Sequence, residues 1–108
     1  MGTFLYGTTG TAITIDDRAL AHLQLVITSK LRRGESITFT WTESANAGSG
    51  RSTAWLAPSS DILFRYLGNR QPAINREWIE VLMNSANSIG GLHLIVEPGV
   101  EASPVVRT

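Results

Sequence analysis

The sequence predicts an α+β fold: a single mostly antiparallel sheet carrying two amphipathic helices on one face, in the order β-β-α-β-β-β-α-β. Three observations predict it. Apolar residues recur at helical spacing in two stretches, 16–33 and 75–89. Elsewhere the period becomes two, as where Ile37, Phe39 and Trp41 alternate with Thr38, Thr40 and Thr42. Clusters of Gly, Asn, Ser and Pro separate these segments. A length of 108 residues suits one core, so residues 1–99 are expected to form a single domain with 100–108 as a flexible tail.

Each element follows from its residues. Phe4-Leu5-Tyr6 and Thr11 to Ile15 flank Gly7-Thr8-Thr9-Gly10, which reads as a hairpin. Asp16-Asp17 then suit a helix start, where a carboxylate caps free amides and favours the positive end of the dipole. Leu20, Leu23, Ile27 and Leu31 make the inner stripe, and Gly34 supplies the left-handed stop. The strand over Ile37 to Thr42 is followed by a flexible connection, Ser44 to Gly50, and a strand over Arg51 to Leu56 that pairs back with it. Ile62 to Leu67 reads as a further strand, with a short helix capped by Asp61 as the alternative. Asn75 opens the second helix, whose inner face carries Trp78, Val81, Leu82, Ser85, Ala86 and Ile89, and Gly90-Gly91 end it. Leu92 to Val96 is apolar nearly throughout, as in a central strand covered on both faces.

Composition narrows the function classes. Nine basic and nine acidic residues cancel, so no global field draws the chain to nucleic acid or an anionic membrane. Eight of the nine basic residues are Arg, a skew that suits bidentate anion contacts and that GC-rich coding also produces. The absence of cysteine removes disulfides, thiolate catalysis and cysteine-based zinc sites. Neither a signal peptide nor a membrane-spanning run is expected, and a cytoplasmic location follows as the default.

The chemistry-bearing candidates are few. The face of the first helix opposite its leucines carries Arg18, His22, Leu25, Ser29, Arg32 and Arg33, a basic stripe around one leucine. It reads as an anion-binding surface, a self-association surface or a solvated helix face. Arg51, Arg70 and Arg76 would extend it toward a phosphate backbone. Asn84 and Asn87, near the end of the second helix, complete the candidate binding face because such residues lower helix propensity and so invite another reason for their presence. His22 and His93 lack the spacing of a metal helix, and the glycine-containing segments lack a Gly-Lys-Ser/Thr ending. No catalytic residue, metal site or cofactor is assigned. An enzyme would need His22 or His93 brought to Glu35 or Glu97.

The run Asp16-Asp17-Arg18-Ala19-Leu20-Ala21-His22-Leu23-Gln24, continuing to Lys30-Leu31-Arg32-Arg33-Gly34-Glu35-Ser36, resembles a family of small, functionally uncharacterised bacterial proteins. So do Asn75 to Glu80, Ser85 to Ser88 and Gly90-Gly91-Leu92. Some members of that family carry the label ATP-dependent DNA ligase, which implies a nucleotidyl-lysine in a Lys-x-Asp-Gly motif. The only lysine here reads Lys30-Leu31-Arg32-Arg33, so the resemblance implies at most a nucleic-acid connection. The leading expectation is a non-enzymatic binding or interaction module that self-associates as a dimer. A nucleic-acid-binding accessory protein and an enzyme are the alternatives.

Overall fold

The computed structural model describes residues 1–7, 10–42 and 50–99. The turn tip Thr8-Thr9, most of the expected connection (43–49) and the expected tail (100–108) lie outside the described residues. Strands β1 (Gly2–Tyr6) and β2 (Thr11–Ile15) form the expected antiparallel hairpin, with Phe4 opposite Ile13. Helix α1 spans Asp17–Arg32, and β3 (Ile37–Thr42) pairs antiparallel with β4 (Arg51–Leu56). After β5 (Ile62–Arg65) come α2 (Arg76–Ala86) and the short β6 (Leu92–His93).

The α+β class and element order hold, but the strands divide between two three-stranded sheets rather than one. Their orders are β2-β1-β5 and β4-β3-β6. The division arises because β5 returns to pair antiparallel with β1, whereas β6 pairs parallel with β3. One core serves both sheets. The ring of Phe4 meets Phe39 edge-on at 5.6 Å and Phe64 at 5.5 Å, so one side chain joins the two sheets. Leu20, Leu23 and Ile27 of α1 and Trp78, Leu82 and Ala86 of α2 enter the same cluster.

Both helix starts follow from capping. The Asp16 carboxylate accepts from the amides of Arg18 and Ala19, and the Asn75 side chain accepts from those of Glu77 and Trp78. Gly34 adopts φ 78° just past α1, where an L side chain would be strained. Two expectations fail further on. Ile89, placed on the inner face of the second helix, is fully exposed, because α2 ends at Ala86 and Asn87 caps it. The central strand expected over Leu92 to Val96 shrinks to two residues at a sheet edge, and Leu94 and Val96 face solvent. Beyond His93 the chain serves α2 instead: the Trp78 indole donates to the carbonyl of Ile95 at 2.7 Å.

Candidate functional site

Helix α1 buries a wider arc than its leucines mark. His22 and Lys30, two turns apart, share a second buried stripe with Ala19 and Val26. Both face α2. The His22 ring stacks on Trp78 with centroids 4.4 Å apart, and the Lys30 ammonium donates to the Asn87 side chain. His22 is therefore removed from the outer face where the periodicity put it; the docking of α2 makes that flank an interior one.

A polar bridge closes over this contact. His22 donates from Nδ1 to the Arg18 carbonyl at 2.7 Å, and its Nε2 accepts from the Asn75 amide at 2.8 Å. A carbonyl can only accept and an amide N–H can only donate, so the two partners fix the tautomer. The Asn75 side chain donates to Glu97 and to the Pro98 carbonyl. Glu97 also receives both arms of the Arg18 guanidinium, at 2.9 and 2.7 Å, and Arg18 donates a third bond to the Ala73 carbonyl. The bridge thus ties the start of α1, the start of α2 and the segment after β6. Sequence reasoning named His22, Arg18 and Glu97 but missed Asn75 as their hub; its position as a helix cap was the one available signal.

The Arg18 fork, and after it the Asn75 amide, hold the Glu97 carboxyl at about 2, against an ordinary 4.5, although burial opposes them. A carboxylate lowered by folding stabilises the fold fully above its unfolded value and loses that contribution as the pH falls toward its folded value. Stability should therefore decline between about pH 4.5 and about pH 2. Glu97→Gln should lose less over that window than the parent when urea midpoints are compared at each pH. Equal losses would mean that the bridge does not hold the proton off.

The remaining candidates do not converge. Lys30 is buried between Glu35 and Asn87, leaving its nitrogen no access to a nucleotide. Arg33 pairs with Glu35 at 3.7 Å, while the other exposed candidates are spread over three elements, Arg32 on α1, Arg51 on β4, and Arg76 and Asn84 on α2. His93 is exposed, with Nδ1 3.1 Å from the Gly91 carbonyl. Of the pairs an enzyme would need, only His22 and Glu97 come together, and both His22 nitrogens are already engaged. Among the described residues no group of three His, Asp or Glu could hold a metal ion, and no helix is long and apolar enough to cross a membrane.

Two surfaces keep uncommitted groups. The first is a half-open cleft of about 230 Å³ where α1 meets the irregular segment 66–72, with Leu25 and Arg70 in its lining. The second is the outer face and free edge of β4. Arg51, Thr53 and Trp55 lie on that face opposite Thr42, Thr40 and Thr38, and Trp55 is 59% exposed. The Thr40 and Thr53 hydroxyls bond at 2.8 Å, the close approach of a non-hydrogen-bonded pair. The Trp55 carbonyl correspondingly accepts from the Tyr6 hydroxyl at 2.6 Å rather than from β3. Arg51, Thr53 and Trp55 therefore turn their backbone groups outward.

No curated protein and no solved structure matches this chain. The model of one family, a domain of unknown function designated DUF7882, matches residues 1–97, and the chain belongs to that family.

Proposed function

We propose that the protein is a non-catalytic interaction module that self-associates through the edge of β4. The carrying observation is the spacing of Arg51, Thr53 and Trp55 on a strand that ends the sheet order β4-β3-β6. Edge strands are commonly blunted by proline, inward charge or a bulge. Arg51–Leu56 carries its one charge at the end, holds no proline and stays in unbroken register with β3. Antiparallel pairing of two copies about a two-fold axis at Thr53 sets Arg51 of each copy opposite Trp55 of the other. The central Thr53 pair would exchange two hydrogen bonds, and each Trp55 amide would donate to Arg51 of the other copy, the Trp55 carbonyl being already bonded to the Tyr6 hydroxyl. Each guanidinium would lie over an indole, a contact worth about 0.5–1 kcal/mol at an exposed site. A non-catalytic reading fits side chains already spent on the fold: His22, Glu97 and Lys30 all serve packing bonds. The buried lysine gives a ligase reaction no nucleophile, and a cysteine-free chain is at ease in the reducing cytoplasm.

Thr53→Pro tests the edge, because proline removes an outward N–H and leaves the β3 ladder intact. In sedimentation equilibrium the parent should pass from monomer to dimer as concentration rises from about 1 µM to about 1 mM. The variant should stay monomeric with an unchanged melting curve. A parent that remains monomeric throughout would overturn the proposal. Nucleic-acid binding is the second reading, favoured by Arg32, Arg51, Arg70 and Arg76 having no carboxylate partner among the described residues. It requires salt-sensitive binding of a labelled oligonucleotide, and no anisotropy change at about 50 mM salt would sink it.

A further inference from the structure

We propose that the cleft between α1 and the segment 66–72 binds a carboxylate carried on a small apolar body. The cleft is held open by two fixed points. Asp17, in the first turn of α1, accepts the Leu67 and Gly68 amides at 3.2 and 3.0 Å, one on each carboxylate oxygen. About two turns further on, the Tyr66 hydroxyl donates to Gln24 Oε1 at 2.5 Å. Segment 66–72 lacks regular structure, yet these bonds set its distance from the helix before any ligand arrives, which lowers the ordering cost of binding.

The lining divides by chemistry. Ala21, Leu25 and Pro72 supply an apolar floor, and this explains an exposed leucine within an otherwise polar flank of α1. Arg70 supplies a guanidinium with no carboxylate partner among the described residues. Because Gln24 Oε1 already accepts from Tyr66, the donors of its amide are the groups left to face a ligand.

Charge and size narrow the class. One guanidinium matches one negative charge, and the planar fork of arginine suits a carboxylate bidentately. A dianionic phosphate would meet Asp17 on the same lining without a second cation. A cation would find the Asp17 oxygens already committed to backbone amides. At about 230 Å³ the cleft is smaller than the 300 Å³ or so at which pockets for drug-sized ligands begin. The occupant is therefore a short branched or cyclic acid, or the last residue of a peptide chain. Both present the same chemistry.

An NMR titration of the whole chain distinguishes these sources and tests the site. The probes are 4-methylpentanoate, its neutral amide, and an acetylated tripeptide ending in leucine. Acid or peptide should shift the backbone amides of Leu67 to Gln71 and bind at least about tenfold tighter than the neutral amide. Arg70→Gln should erase that tenfold preference, and Leu25→Ser should weaken acid and amide alike. Tighter binding of the acid assigns a free metabolite, and tighter binding of the peptide assigns a chain terminus. The cleft uses no residue of β4, so the outcome is independent of dimer formation. Absence of localised shifts at about 20 mM probe, or equal binding of acid and neutral amide, overturns the proposal.

Discussion

Phe4→Ala should lower the free energy of unfolding by about 3–5 kcal/mol, the range for removing a fully buried phenylalanine. The side chain is 1% exposed and sits where three strands meet. It packs edge-on against Phe39 of the second sheet and tilts onto Phe64 of its own. Edge-to-face geometry adds about 0.5–1.5 kcal/mol beyond area burial, and alanine removes both ring contacts together. Leucine at this position keeps most of the volume and should cost less than half as much. Urea denaturation of the three proteins decides the matter. A loss below about 1 kcal/mol for alanine would show that the sheets hold together by some other contact.

Gly91→Ala should cost at least about 2 kcal/mol, from two separable causes. Gly91 is buried with φ +81°, a conformation that strains any residue with a Cβ by about 1–2 kcal/mol. An added Cβ would also stand 1.9 Å from the Thr38 hydroxyl oxygen and 3.0 Å from the Thr38 carbonyl. The chain comes this close because Gly91 delivers β6 onto β3, with the Ser85 hydroxyl bonding the Gly91 carbonyl and the His93 amide around it. Adding Thr38→Ala should return the part due to the hydroxyl and leave the backbone strain. If Gly91→Ala alone melts with the parent, β6 is not seated this tightly.

Legibility in the sequence followed the range of the forces involved. The limits of α1 were readable because capping at Asp16, the leucine stripe and Gly34 are local and agree with one another. His22 was misplaced because a helical wheel scores it as polar, and only the docking of α2 supplies the Trp78 and Asn75 groups that make its burial favourable; the burial of Lys30 against Asn87 depends on the same docking. The division into two sheets rests on β1 with β5 and β3 with β6, pairings between distant segments that strand pattern and order do not encode. The apolar run after Gly91 suggested a covered strand because hydropathy cannot distinguish a sheet ladder from a chain held by one indole and one carboxylate. Of the candidate site residues, Leu25 was singled out as an exposed leucine, and it is 40% exposed on the lining of the cleft. Arg70, on the same lining, lies 45 positions along the chain, and no local pattern links the two.

Disulfide trapping tests the β4 pairing most directly. The chain has no cysteine, so Thr53→Cys introduces a single thiol that can bridge only to another copy. Hydrogen-bonded antiparallel neighbours stand about 5.5 Å apart at Cα, within the separation that a disulfide spans. Leu25→Cys, exposed on α1, serves as the collisional control. Under mild oxidation Thr53→Cys should convert largely to a covalent dimer, while Leu25→Cys remains mostly monomeric. Equal crosslinking of the two variants would contradict pairing about Thr53.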